Sequence, residues 1–227
     1  MSSIVSYKDT LFQIFYPLSD ITEKEIIVQT IKKGRIWEEK IVKLFEKHIK
    51  KDSVVLDIGA YIGTHTVCLS KIVGENGKVF SFEPQKSIYK CLDRTIQKNN
   101  LMNVYLFNNA VSNNKNIVQF TETTNGRASM THMRPKLRDF ESKVNVKCLT
   151  IDSLNLDQCD FMKIDVECCE LLVLEGATET IKRHKPIILI ECFDIHYKKL
   201  LTILEKLEYE IIENLPQMNY LCKGVCL

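Results

Sequence analysis

The stretch VVLDIGAYIGTHTV, Val54 to Val67, decides how the rest of this 227-residue chain is read. Val54, Val55, Leu56 and Ile58 suit a buried strand. Asp57 interrupts them, Gly59 and Gly63 bracket a turn, and apolar residues at helical spacing follow. That succession is a strand–turn–helix unit. Gly59 can take a positive φ and lets a ligand approach the backbone, while Gly63 opens a helix whose free N–H groups face the same space. Ligands of open parallel sheets sit beyond the carboxyl ends of the strands, so this turn is a candidate mouth. The GxxxG spacing alone would equally serve a tight turn with no ligand.

Working outward, the pattern repeats. SVVLDI reads as a strand and IGTHTVCLSKIV as a helix closed by GENG. KVFSFE and NVYLFNNAV are the second and third strands, with the helix KSIYKCLDRTIQKNN between them. DFMKIDV and PIILIECF are two more strands, separated by the helix ELLVLEGATETIKRHK. Short strands rich in Val, Ile and Phe, alternating with helices, predict βαβ units and a mainly parallel sheet covered on both faces. The tail, YEIIENL and NYLCKGV around a Pro turn, reads as a closing antiparallel hairpin. Ahead of the repeat, the first 35 residues read as helix or loop, and IWEEKIVKLFEKHIKK as a helix with one apolar stripe. No Gly/Ser/Pro linker intervenes, so residues 1–52 are expected to be a helical cap on the same domain as residues 53–227. Between the third and fourth parallel strands, strand-like NIVQFTE and VNVKCLTI flank a polar middle. That middle, Asn125 to Glu141, is a candidate lid or specificity loop.

Composition narrows the function. Lys plus Arg number 31 and Asp plus Glu 29, so no net field argues for nucleic acid or an anionic membrane. No apolar stretch reaches spanning length, and MSSIVSYKDT lacks the basic flank and apolar run of a signal peptide. The nine cysteines are an odd number lying mostly in apolar runs, with no CxxC. They are expected to be buried thiols in a cytoplasmic protein rather than disulfides or a zinc cluster, and no metal site is expected.

The turn also discriminates among cofactors. A dinucleotide site needs GxGxxG, but Ala60, Tyr61 and Ile62 follow Gly59, and Asp57 would repel a pyrophosphate while welcoming an ammonium. Glu83, closing the second strand, can accept hydrogen bonds from both hydroxyls of a ribose. A cation near the first strand and a ribose at the second point to S-adenosylmethionine rather than NAD.

VVLDIGAYIGTHTV, KVFSFEPQ, FNNAVSN, DFMKIDVECCELLVLEGA and KPIILIE, in this order, resemble the successive motifs of the FkbM family of S-adenosylmethionine-dependent methyltransferases. The resemblance covers about Ile36 to Tyr209. It implies the class I methyltransferase fold, a Rossmann-like three-layer α/β sandwich on a seven-stranded sheet of order 3-2-1-4-5-7-6, with the last strand antiparallel. It also implies O-methylation, often of sugars or other small hydroxylated molecules, with a small-molecule or glycan hydroxyl as acceptor. By the same resemblance Asp57, Gly59, Ala60, Tyr61 and Gly63 form the methionine-side loop. Glu83 is the ribose acceptor, and Asn109 and Ala110 edge the adenine pocket. Asp165, Glu167 and Glu170 stand in the family's DVEG.E motif. Two positions depart from the pattern: Tyr61 replaces an asparagine, and Cys168 replaces a glycine at a helix start, where it would narrow the pocket.

Methyl transfer to a hydroxyl needs close in-line positioning and help in removing a proton. Asp165 and Glu191 end neighbouring strands and are the candidate catalytic groups, with Glu167 on the same rim and the base unassigned among them. His65, just inside the first helix, is either a packed histidine or a proton acceptor, and His132 lies in the long loop. The competing expectation is a binding or regulatory protein that keeps the fold without catalysis. An NAD(P)-dependent oxidoreductase is disfavoured by the missing glycine.

Overall fold

A computed structural model describes residues 1–17, 26–123, 128–130 and 141–225. The chain opens with strands β1 (Ser2–Tyr7) and β2 (Thr10–Phe15), then helices α1 (Ile26–Lys32) and α2 (Glu39–His48). The alternating core follows as β3 (Val54–Ile58), α3 (Thr64–Val73), β4 (Lys78–Phe82), α4 (Lys86–Lys98) and β5 (Val104–Phe107). An insertion carries β6 (Ala110–Val111), β7 (Ile117–Thr123), β8 (Ala128–Met130) and β9 (Glu141–Leu149). The second half comprises β10 (Phe161–Ile164), α5 (Glu170–Glu175), α6 (Thr178–His184), β11 (Ile187–Glu191), α7 (Asp194–Lys206), β12 (Tyr209–Leu215) and β13 (Asn219–Gly224).

Seven strands form the main sheet in the order β5–β4–β3–β10–β11–β13–β12. The pairs β5–β4, β4–β3, β3–β10 and β10–β11 are parallel, and β13 runs antiparallel to both β11 and β12. This is the class I order. Every residue of β3 and β10 is buried, as central strands covered on both faces must be. Alternation along them divides the core in two. Val55 and Phe161 face a cluster with Phe45 of α2, Leu69 of α3 and the N-terminal strands. Leu56, Ile58, Met162 and Ile164 face the other way, onto Leu174, Ile181 and Leu200 of the second-half helices. The result is helix, sheet, helix.

Three local readings change. Residues 2–15 are a β-hairpin, not helix or loop. Val5, Tyr7, Phe12 and Ile14 are its buried positions at period two, and the reversal is made by Lys8 at φ 50° without a glycine to announce it. The hairpin is tied to α4: Asn99 Oδ1 accepts from the Gln13 N–H at 2.9 Å, and Thr95 Oγ1 from that of Phe15 at 3.0 Å. NVYLFNNAV is two strands, because the chain leaves the main sheet at Asn108 and Asn109 and enters a second sheet of order β6–β9–β7–β8. The long helix after β10 breaks at Gly176, which packs against the insertion so closely that a Cβ would lie 2.0 Å from the Ser112 carbonyl oxygen. NIVQFTE and VNVKCLTI are strands as read, β7 and β9. Most of the expected lid, Asn125 to Glu141, and with it His132, lies outside the described residues, apart from β8 and the first residue of β9. Among the described residues no helix is long and apolar enough to cross a membrane.

Candidate functional site

The glycine turn after β3 is built to crowd its neighbours. Gly59 sits at φ 87°, and a Cβ there would lie 1.8 Å from the carbonyl oxygen of Asp165 at the end of β10. The N–H groups of Gly59 and Ala60 both donate to the Phe82 carbonyl, at 3.1 and 2.9 Å, which draws the turn across the end of β4. Gly63, at φ 91°, lies under Leu92 of α4. Tyr61 is also left-handed, at φ 50°, a conformation asparagine tolerates better than a tyrosine. Its N–H donates to Glu83 Oε2 at 3.0 Å, and the Gln85 N–H to Oε1 at 2.8 Å. Each Glu83 oxygen is therefore oriented by one backbone donor. Burial pushes the Glu83 carboxyl up to about 7, against the pull of those two donors and Lys163.

These residues open onto a cavity of about 510 Å³. It brings together Gly59, Tyr61, Glu83, Asn109 and Ala110 from the expected cofactor side, and Asp165, Glu167 and Glu191 from the expected catalytic rim. Asp57, Ala60 and Gly63 do not line it. Asp57 is wholly buried beneath the turn, where Thr66 Oγ1 donates to Oδ2 at 2.6 Å and Lys163 Nζ stands 3.6 Å from Oδ1. Ala60 packs on Leu92 and Ile96. These three shape the turn from behind. Asn109 is held by its side-chain amide, which donates to the Lys147 carbonyl at 3.2 Å.

Lys163 belongs to none of the sequence-predicted sites, yet it organises the rim. It is pressed among its partners with only 5 % of its surface exposed, and donates to the Gly59 carbonyl at 3.2 Å and to Asp165 Oδ2 at 3.3 Å. Burial opposes its charge, but Asp165, Asp57 and Glu38 around it hold the ammonium above its usual range. A lysine between Met162 and Ile164 in an otherwise apolar strand was the available signal. It lies on the same face as Asp165, two residues on. Burial alone would raise Asp165, but the Lys163 charge and a hydrogen bond from Glu191 hold it below the usual carboxylate range. Glu191 moves the opposite way, raised by burial and by the charge of Asp165. The two carboxyls therefore shift in opposite directions, with Asp165 favoured as the carboxylate and Glu191 as the acid.

The remaining candidates fall outside the cavity. His65 is packed edge-on against Phe45, ring centroids 5.4 Å apart, and burial drives its pKa down to about 3. It is the packed histidine of the two alternatives. Cys168 is buried and is not a lining residue, so the expected narrowing of the pocket does not occur; the neighbouring Cys169 lines the wall instead. Cys168 has φ 78° and Glu167 φ 54°, two consecutive left-handed residues in a turn closed by Glu170, whose Oε1 accepts the Cys168 N–H at 2.9 Å. The family glycine would suit φ 78° without strain. The eight cysteines among the described residues are all thiols.

Sequence reading also missed Trp37 and Glu38 from the segment before α2, Phe120 of β7, and Phe193 beyond β11, all of which line the cavity. None lies in a motif; each arrives by tertiary packing. Five lining residues are Asp or Glu (Glu38, Glu83, Asp165, Glu167 and Glu191), and no lysine, arginine or histidine is among the described residues that line it. Such a wall favours a cationic ligand. Among the described residues no three His, Cys, Asp or Glu groups stand together as a metal site would require.

Comparison with known proteins places this geometry. No curated protein matches the sequence significantly. Among solved structures, an FkbM methyltransferase from Methylobacillus flagellatus superposes with a TM-score of 0.54 at 20 % identity, over 76 % of this chain and 43 % of that one. The chain therefore spans less than half the length of that relative. An S-adenosylmethionine-dependent O-methyltransferase from Thermotoga maritima superposes with a TM-score of 0.54 at 16 % identity, over 99 % of this chain and 78 % of the other. A Streptococcus mutans protein solved in complex with SAH gives 0.51 at 14 % identity, over 82 % and 94 % of the two chains. At such identities these likenesses carry the fold. The family is carried by the sequence model of the methyltransferase FkbM domain, which matches residues 57–222, from the buried aspartate of the glycine turn to the last strand. The chain belongs to the FkbM family of S-adenosylmethionine-dependent methyltransferases.

Proposed function

We propose that this cavity binds S-adenosylmethionine and that the protein transfers a methyl group to a hydroxyl of a sugar or other small molecule. The observation that carries the reading is the convergence, on one acidic cavity, of an oriented carboxylate after β4 and a carboxyl pair after β10 and β11. When bound, S-adenosylmethionine supplies a methyl group activated by a positive sulfur. Glu83, its oxygens already aimed by the Tyr61 and Gln85 N–H groups, would accept the ribose hydroxyls. Gly59 and Tyr61 would flank the methionine portion, and Asn109 and Ala110 the adenine edge. On the other side Asp165, kept ionised by Lys163, would accept the hydrogen bond of the acceptor hydroxyl and orient its oxygen. The proton leaving that hydroxyl would pass to the Asp165–Glu191 pair, with Glu167 adding negative charge at the rim. We infer likewise that residues 1–52 belong to the methyltransferase domain, since the buried side chains of the N-terminal hairpin join its core cluster.

Calorimetric titration with S-adenosylmethionine and S-adenosylhomocysteine tests the first half of this reading. A methyl-transfer screen over glycans and small hydroxylated compounds tests the second. Absence of cofactor binding would defeat the proposal. Tight binding with no transfer to any acceptor would favour a binding protein that keeps the fold.

A further inference from the structure

The family match begins at residue 57, yet one wall of the cavity comes from residues well ahead of it, among them Ile27, Trp37 and Glu38. Trp37 is the single tryptophan of the chain and is half-buried. Glu38, next to it, is the flanking residue at the N-terminus of α2, and its side chain turns toward His65 at the start of α3. Glu38 Oε2 lies 3.5 Å from His65 Nε2, and the charge of Glu38 is felt alongside those of Lys163 and Asp165. Glu38 also sits at φ 49°, a left-handed conformation that is strained for a glutamate and is retained where surrounding structure imposes it.

An indole edged by acids also suits a polyhydroxylated ring. Ring C–H groups pack on the aromatic face, while hydroxyls at the ring's rim donate to the acids. We propose that Trp37 and Glu38 are specificity-determining residues for the acceptor, Trp37 as the stacking platform for a polyhydroxylated ring and Glu38 as the acceptor of one of its hydroxyls. The inference rests on the methyltransferase reading of the same cavity. It places acceptor selection in the segment ahead of the family domain, while Glu83 and the glycine turn serve the cofactor.

Because Trp37 is the only tryptophan, its fluorescence reports on this wall alone. The test saturates the full chain with S-adenosylhomocysteine, then adds a panel of methyl hexosides and methyl 6-deoxyhexosides while acrylamide quenching is followed. Trp37 is expected to stay accessible after S-adenosylhomocysteine binds and to become shielded by at least one glycoside. For any glycoside that is methylated, Trp37→Ala and Glu38→Gln should raise KM by about tenfold or more with little change in kcat, because uniform binding has been removed. Trp37→Phe, which keeps an aromatic face, should restore most of the loss. Calorimetric affinity for S-adenosylhomocysteine should be unchanged in all three variants, which also shows that they fold. Full shielding by S-adenosylhomocysteine alone, or weakened cofactor binding in Trp37→Phe, would move Trp37 to the cofactor side and overturn the proposal. So would a panel in which no glycoside shields Trp37 in the cofactor-bound protein. Failure of the wild-type chain to bind S-adenosylhomocysteine would overturn the cofactor reading itself, a result distinct from these.

Discussion

Glu83 concentrates the chemistry of the cofactor side in one side chain. Its carboxyl is buried, pushed up to about 7, and oriented by two backbone donors. Ribose hydroxyls donate to the ionised form, so affinity for S-adenosylhomocysteine should rise as pH increases through about 7, and Glu83→Gln should lose that dependence. Glu83→Ala should cost about 1–3 kcal/mol of binding, through hydroxyls left unpaired, with folding retained. An affinity equal to wild type in calorimetry would refute the assignment. His65 makes a stability prediction of opposite logic. It is buried neutral with its pKa near 3, whereas the unfolded chain takes up the proton near the ordinary 6.5. Its contribution is therefore complete above pH 6.5 and is lost as pH falls toward 3, amounting to about 3 kcal/mol between pH 7 and pH 4. The stability difference between wild type and His65→Phe, measured by urea unfolding, should shrink by that order over the same interval. A constant difference would mean the ring charges freely in the fold. Cys168 is held left-handed and away from the cavity, so Cys168→Gly should stabilise the protein by up to about 1 kcal/mol and leave cofactor binding intact. A lowered Tm would show that the packing of its thiol outweighs the backbone strain.

At the scale of elements, the accessory sheet is more than a decoration on the sheet edge. It begins where the chain leaves β5, and its strand β7 sends Phe120 into the cavity wall, packed with Ala110 and Cys169. From the sequence, the polar part of this insertion, Asn125 to Glu141, is a candidate lid or specificity loop. Phe120 lies outside that span and beside the adenine-edge residue Ala110. Phe120→Ala should therefore weaken S-adenosylhomocysteine binding by about tenfold, because the wall gives up the apolar surface of the phenyl ring. An unchanged affinity with raised KM for an acceptor would instead assign this strand to the acceptor. The glycine turn is an element of the same kind. Gly59 can pass between β4 and β10 only because it has no Cβ, and this close passage lets one lysine reach both a loop carbonyl and two acids.

Across the whole molecule, Lys163 is the electrostatic centre that joins the halves of the sheet. Register puts it opposite Asp57 on the neighbouring strand, and its ammonium spans Asp57, the Gly59 carbonyl and Asp165. Lys163→Met would leave the wholly buried Asp57 without its counter-charge, a loss of about 3–5 kcal/mol for a broken buried pair. Combining it with Asp57→Asn should recover part of that loss, as urea unfolding of the single and double variants would measure. Additive losses would mean that the two residues do not interact.

The amino-acid sequence by itself determined the alternation of apolar strands and helices, hence the parallel sheet. It also determined the glycine turn, and the acids at positions 83, 165 and 191 that end strands. These are local properties, set by periodicity over a few residues and by where a strand must stop. The N-terminal hairpin is hard to read because its turn residues, Lys8 and Asp9, carry no glycine or asparagine signal, although its alternation is present. Asp57, from its place ahead of the turn, reads as a wall of the site. Strand pairing instead turned it into the sheet's interior against Lys163, since a side chain's partner depends on the register of a strand more than 100 residues away. Trp37, Glu38 and Phe120 became part of the cavity only when the N-terminal segment and the accessory sheet packed against the strand ends. No spacing within their own segments encodes that meeting, because it is made by surfaces that come together only after the sheet has formed.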